Sequence, residues 1–377
     1  MTEARLVAAD ALRAFTFEAV LAMGAASETA GEVARHLVMA NLSGHDSHGV
    51  LRLAQYVAEQ DAGQLFPEAE VELVRATPVC ALFDAKRGFG QRSTMVATEW
   101  VISQAREHGL AAAAVRHSTH IGRLGEYTER LAGAGLIGVV TVGIAGPGSG
   151  RVAPFGGMTP FLGTNPWSIG VPAGGRPPLI FDAATSSVAE GKVRLALAKG
   201  AEAPEGAVLD PAGRHSRDPA QLYAGGTLTL LGGELAGHKG YGLSLAAALV
   251  GGLSMIDDLQ PTSAGTMQRQ PAGWSQRLSG VFLVGIDPAA FGDALEYQRR
   301  VAVVLDAAAE QPARPGVERV MVAGDPERAS REVRLREGIP LPPAIWEALS
   351  VTAARFGLQL PGGAAPGHPP SQGGLAN

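Results

Sequence analysis

Apolar residues recur with a helical period through the first forty positions: Leu6, Leu12, Phe15, Phe17, Val20 and Leu21, then Ala30, Val33, Ala34, Leu37 and Val38, with Gly24 separating two helices. A polar cluster, Ser43-Gly44-His45-Asp46-Ser47-His48-Gly49, leads into a third helix carrying Leu51, Leu53, Tyr56 and Val57. Asp46 or Ser47 is the expected cap of that helix, on which Arg52 and Tyr56, four residues apart, share a face. From about Val71 the period shortens. Val71–Val74, Ala81–Phe83, Leu110–Val115, Gly138–Val142, Trp167–Val171, Leu179–Phe181, Thr227–Leu231 and Val281–Gly285 read as short strands. Gln91–His108, Arg123–Ala134 and Ser187–Lys199 read as helices among them, and Gly240–Met255 is apolar enough to predict a buried helix. After Asp287-Pro288 the pattern is helical and charged over Phe291–Leu305, and a last helix is expected over Pro342–Phe356. Helices, then a mixed sheet with helices, then helices again predict an α/β protein: a mixed-sheet domain at 76–288 inserted into a helical domain built from 1–75 and 289–360. The tail, 361–377, has little to bury and is expected to be disordered.

Composition narrows the function classes. The 377 residues carry a net charge of −5, and their 31 Lys and Arg are scattered, which argues against an electrostatic nucleic-acid partner. No run of about 18 uninterrupted apolar residues predicts a membrane span, and the N-terminus lacks the basic-then-apolar order of a signal peptide, so a cytoplasmic location is expected. Cys80 is the only cysteine, which excludes an internal disulfide and a thiolate zinc site.

Two glycine-rich stretches imitate nucleotide-binding motifs. Gly148-Ser149-Gly150-Arg151-Val152-Ala153 fits a dinucleotide fingerprint, but Pro154 and Gly156-Gly157 would break the helix that such a site needs. In Gly232–Lys239 His238 splits the Gly-Lys pair and Gly240 stands where a P-loop has Ser or Thr. His45/His48 and His117/His120 repeat an H-x-x-H spacing that could hold zinc, yet no H-E-x-x-H is present, and no metal is expected. A histidine at the end of the apolar run Leu110–Val115, flanked by small residues, suits proton transfer near neutral pH.

Seven stretches occur in one order: Asp46-Ser47-His48-Gly49-Val50-Leu51-Arg52 with Tyr56, Ser118-Thr119-His120-Ile121-Gly122, Leu162-Gly163-Thr164-Asn165-Pro166, Phe181-Asp182-Ala183-Ala184-Thr185-Ser186, Gly237-His238-Lys239-Gly240-Tyr241-Gly242-Leu243, Ile286-Asp287-Pro288 and Gly338-Ile339-Pro340-Leu341-Pro342. Together they resemble the malate/L-lactate dehydrogenase family of the second type, which includes ureidoglycolate, sulfolactate and 2,3-diketogulonate dehydrogenases and some cyclic-imine reductases. The resemblance implies reversible hydride transfer between NAD or NADP and a small 2-hydroxy/2-oxo acid. It also implies a non-Rossmann nicotinamide-binding fold and a homodimer whose active site lies between domains. Reduction of a cyclic imine (a pyrroline- or piperideine-2-carboxylate) is the alternative activity.

By position, the resemblance makes His120 the acid/base and His48 a second candidate proton donor, with Ser47, Arg52 and Tyr56 facing substrate. It assigns cofactor contacts to Thr164, Asn165, Asp182, Ala183, Ala184, Thr185, Ser186, His238 and Lys239, and to Gly324 and Asp325. The chemistry suits these residue types. A carboxylate calls for a bidentate guanidinium such as Arg52. Lys239, placed before the predicted Gly240–Met255 helix, would join a positive helix end that suits a phosphate. Thr119, where many members carry Asn, and the continuation Arg123-Leu124-Gly125-Glu126-Tyr127 depart from the commoner pattern beside the proposed catalytic histidine.

Overall fold

The computed structural model describes residues 4–259 and 278–362; the expected tail lies outside the described residues from 363 onward. The chain forms two compact units, one of residues up to Gly63 together with those from Pro326 onward, the other Gln64–Asp325.

In the first unit the helices Ala9–Ala22 and Ser27–Leu42 pack against each other through Leu12, Phe15, Val33 and Leu37, as the apolar period predicts. The helix Pro343–Phe356 packs on the helix Arg52–Asp61. Two features differ from the sequence reading. One is an antiparallel strand pair, Arg5–Val7 with Ile339–Leu341, so Leu6 lies in a strand and not in the first helical period; three residues are too short to show a strand alternation. The other is the charged helix Asp325–Glu337, with Gly324 at φ +97° before it and Pro326 in its first turn, an arrangement that starts a helix. Asp46 and Ser47 do not cap the third helix. They lie in a separate 3-10 turn, Asp46–His48, and the helix starts after Leu51 with no side-chain cap. The Asp46 carboxylate is instead taken by Arg334 and Asn41.

The second unit is built on a seven-stranded sheet in the order Glu72–Ala76, Cys80–Asp84, Leu110–Arg116, Leu278–Ile286, Ile137–Ala145, Trp167–Val171, Leu179–Ala183. Cys80–Asp84 and Leu110–Arg116 pair in parallel, joined by the helix Gly90–His108; the other neighbours are antiparallel, so the sheet is mixed. Strand alternation separates its faces. A Cβ on Gly138 or Gly285 would meet Leu131 or Val101, of the helices Gly125–Gly133 and Gly90–His108. A Cβ on Gly143 would meet the backbone of Ala247 and Ala248 at 2.4–2.6 Å, on the helix Gly233–Gly251 across the other face. The core between the sheet and the first two helices contains Phe83, Val101, Val115, Tyr127, Leu131, Val140 and Leu283.

Three expectations change. The long apolar helix begins at Gly233, seven residues before Gly240, and passes at Gly252 into a 3-10 segment. It is buried along a small-residue face, Gly237, Gly240, Ser244, Ala247, Ala248 and Gly251, where the sheet strands at Gly143 and Gly280, and the Phe155 ring and Leu231 backbone nearer its start, leave no room for larger side chains. The opposite face leaves Leu243, Leu249 and Ile256 exposed. By length and composition Gly233–Ile256 could cross a membrane, but its packing on the sheet is that of a core helix. The third change is Ala294–Ala309, which belongs to the second unit: Gln298 O accepts from Gly174 N at 3.0 Å and Asp306 pairs with Arg176 at 2.6 Å.

Candidate active site

In the first unit, Ser47 and His48 occupy the 3-10 turn and Arg52 opens the next helix. Ser47 Oγ lies 3.0 Å from His48 Nδ1, and Arg52 Nε donates to Ser47 O at 2.7 Å, so the three residues form one half-buried group. Tyr56 is fully buried on the inner face of the helix. His45 bonds through Nε2 to Glu327 at 3.1 Å.

In the second unit, His120 lies in the turn between the strand Leu110–Arg116 and the helix Gly125–Gly133. Its neighbours fix that turn. Thr119 Oγ1 donates to Gly88 O (2.9 Å) and accepts from Gly90 N (3.1 Å), capping the helix Gly90–His108 from a distant loop. A Cβ on Gly90 would lie 2.5 Å from Thr119 O and 2.6 Å from His120 O, so the turn sits directly on backbone. The Tyr127 hydroxyl donates to Ile121 O, and Gly122 takes φ +76°, a conformation that favours glycine. Thr119 thus has a structural use that its motif does not announce.

Behind the turn, Arg123 is 2% exposed and donates to Glu129 Oε1 at 2.6 Å, with Glu126 Oε2 at 3.9 Å. Burial alone would push the Arg123 guanidinium down; the carboxylates of Glu129, Glu126 and Asp182 outweigh it and hold it above its ordinary value. At the strand end before the turn, Asp84 binds Lys86 N (2.8 Å), Arg116 Nε (2.9 Å) and His117 Nδ1 (3.0 Å). Burial would raise its carboxyl, but the Lys86 N–H, His117 and Arg116 prevail and keep it below the usual carboxylate value.

Several of the segments assigned to the cofactor are joined by hydrogen bonds in this unit, although several of their side chains are committed elsewhere. Asp182 Oδ2 accepts from Gly125 N at 2.7 Å, capping the helix that follows His120. Asn165, at φ +37° and 2% exposed, bonds both Ile144 N and Ile144 O and reaches Ser244 O and Oγ at 2.9 and 3.1 Å. Thr185 donates through N and Oγ1 to Thr164 O, and Leu231 N donates to Thr185 O, joining this corner to the start of the long helix. Ser186 Oγ donates to Val188 O. Ala183 ends its strand, and Ala184 links it to Thr185. Ala323 O, next to Gly324, accepts from Ile180 N on the edge strand; Asp325 Oδ2 accepts from Val322 N, closing its own turn.

His238 and Lys239 are exposed in the second turn of the long helix. Lys239 therefore does not precede the helix, whose first turn is formed by Gly233-Glu234-Leu235-Ala236. An exposed ammonium at this position is a group that could meet an anion such as a dinucleotide diphosphate. Among the described residues no three His, Cys, Asp or Glu side chains form a metal-binding group. Gly148–Ala153 enters no helix; Val152 bridges to Leu162 and Leu228.

The second unit is thus an α/β domain with a mixed sheet, helices on both faces and His120 on a turn at the end of one strand. In a malate dehydrogenase structure from Entamoeba histolytica, 26% identical, the same fold superposes with a TM-score of 0.85 over 95% of this chain and 99% of the other. The malate/L-lactate dehydrogenase family model matches residues 7–350, and the chain belongs to that family. It is 33% identical over 355 residues to the malate dehydrogenase of Pyrococcus abyssi, covering 93% of this chain and 94% of the relative. It is also 33% identical over 339 residues to the Δ1-pyrroline-2-carboxylate reductase of Ancylobacter novellus, covering 90% and 94%.

Proposed function

We propose that the protein is an NAD- or NADP-dependent oxidoreductase that interconverts a small 2-hydroxy acid and its 2-oxo acid. The observation that carries this reading is the His120 turn, whose backbone and flanks are fixed by Thr119, Tyr127 and Asp182. Held by its surroundings, a histidine can meet a substrate hydroxyl at small reorganisation cost. A bound nicotinamide supplies or accepts the hydride at the substrate C2 carbon. His120 takes the hydroxyl proton in oxidation and returns it in reduction. Within the first unit, Ser47, His48 and Arg52 form a polar group whose chemistry suits a carboxylate and a hydroxyl. Lys239 and His238 bind the diphosphate, supported by the Thr164–Asn165 and Asp182–Ser186 corner.

In this reading Gln64–Asp325 is a non-Rossmann nicotinamide-binding domain inserted into a helical domain made from both chain ends. The protein works as a homodimer; exposed Leu235, Leu243 and Leu249 on the long helix, and Leu253 and Ile256 on the 3-10 segment after it, favour a covered interface. A second reading, cyclic-imine reduction, is favoured by the Ancylobacter novellus relative. Loss of NADH and NADPH absorbance across a panel of 2-oxo acids and cyclic imines tests both. Turnover of imines alone selects the second reading, and no turnover with either cofactor overturns both.

A further inference from the structure

We infer that Arg334 is a positioning residue for the Ser47–His48–Arg52 group. The inference rests on the reading that this group meets substrate. Arg334 stands on the helix Asp325–Glu337, and its guanidinium grips Asp46 with both nitrogens: Nη1 to Oδ1 at 2.6 Å and Nη2 to Oδ2 at 3.0 Å. Nη1 also donates to Asn41 O. Asn41, fully buried, donates through Nδ2 to Asp46 Oδ1 at 2.6 Å and accepts from Val50 N at 2.9 Å, so it spans the turn from end to end. The turn closes so tightly on Asn41 that a Cβ on Gly49 would lie 2.1 Å from its Oδ1. Inside this frame sit Ser47 and His48, and Ser47 O receives Arg52 Nε. Arg334 thus fixes the residue immediately before Ser47 from a helix far along the chain.

The pair is built for orientation more than for stability. Its side chains are 17% and 36% exposed, so the bidentate pair is part-buried and contributes some stability as well. The planar fork sets both distance and angle. Separate bonds hold the same helix to the same segment: Arg331 Nε to Ser43 Oγ at 2.8 Å, and Ser330 Oγ to Leu42 O at 2.9 Å. Removing Arg334 alone therefore leaves the helix docked while freeing the turn.

The test uses the full chain and the best 2-oxo acid of the panel, with steady-state kinetics, reduced-cofactor fluorescence titration and thermal unfolding. Arg334→Met is expected to lower kcat/KM by roughly ten- to a hundredfold, the scale of a small misplacement of a substrate-positioning group, mainly through KM. Cofactor affinity should be unchanged, and the unfolding temperature should fall by only a few degrees. Arg334→Lys, which keeps the charge and loses the fork, should recover only part of the loss. Asp46→Asn should reproduce the defect, and Asp46→Asn with Arg334→Met should be no worse than either alone, as for two members of one link. His48→Ala separates the two levels. If His48→Ala is impaired while both Arg334 variants match the wild type, the positioning role is overturned and the functional reading stands. If His48→Ala keeps full kcat/KM, the reading falls and the inference with it. Parallel loss of cofactor affinity and unfolding temperature in Arg334→Met and Arg334→Lys would also overturn it, as general structural damage.

Discussion

Asp182→Ala and Asp182→Asn separate two roles for one carboxylate. The family resemblance makes Asp182 a cofactor contact; the geometry makes it the cap of the helix Gly125–Gly133, through a 2.7 Å bond from Gly125 N. Losing a side-chain cap costs about 0.5–2 kcal/mol, and losing a negative charge at a helix start costs about 0.3–1 kcal/mol more. Arg123 is not left alone, because Glu129 remains at 2.6 Å and Glu126 at 3.9 Å, so no larger penalty from an unpaired buried charge applies. The Ala variant should therefore lose about 1–3 kcal/mol, which in a domain of this size lowers the unfolding temperature by roughly 3–10 °C. The Asn variant keeps an acceptor oxygen and should lose less, about 1 kcal/mol. Thermal unfolding measures both, and fluorescence titration with NADH and NADPH follows the other role. Wild-type unfolding in Asp182→Ala together with a tenfold or greater loss of cofactor affinity would refute the capping argument and return Asp182 to the cofactor.

Four further outcomes are expected. Lys239→Ala should weaken NADH or NADPH binding by about 1–3 kcal/mol, the scale of a charged hydrogen bond, without changing the unfolding temperature; an unaltered dissociation constant removes Lys239 from the site. His120→Ala should lower kcat by about 10²–10⁴ and abolish the histidine limb of the oxidative pH profile, and retention of that limb with its loss in His48→Ala would exchange the two roles. Asp84 titrates below its reference value of 3.8, so its stabilising contribution is complete above that pH and is lost as pH falls through the lowered value; the stability gap between wild type and Asp84→Asn should be larger at pH 7 than at pH 3, and equal gaps would contradict the argument. Light scattering at micromolar concentration should give a dimer mass that Leu249→Glu reduces; a monomeric wild type rules the interface out.

The parts of the fold legible in the sequence are those whose signal is apolar burial. Leu110–Val115 and Gly138–Val142 announce strands because burial leaves little room for polar residues there, and the structure places strands over Leu110–Arg116 and Ile137–Ala145. The start of the long helix was hidden for the opposite reason. Gly232-Gly233 and Gly237 read as loop by propensity, yet at Gly237 a Cβ would meet the Phe155 ring at 2.8 Å, so packing there calls for a residue without bulk and overrides the local preference. The helix Asp325–Glu337 is charged, so no period revealed it. Within the first unit it is held through Arg331, Arg334 and Ser330 to residues some 290 positions earlier, a relation no local window contains. Motif position also could not divide polar residues by use. Asn165 and Asp182 sit in segments assigned to the cofactor, but their side chains meet the backbone of Ile144 and Gly125, whereas Lys239 is exposed. A buried polar group needs a partner wherever it lies, so binding residues and the frame that holds them draw on the same residue types and are told apart only by which atoms they reach.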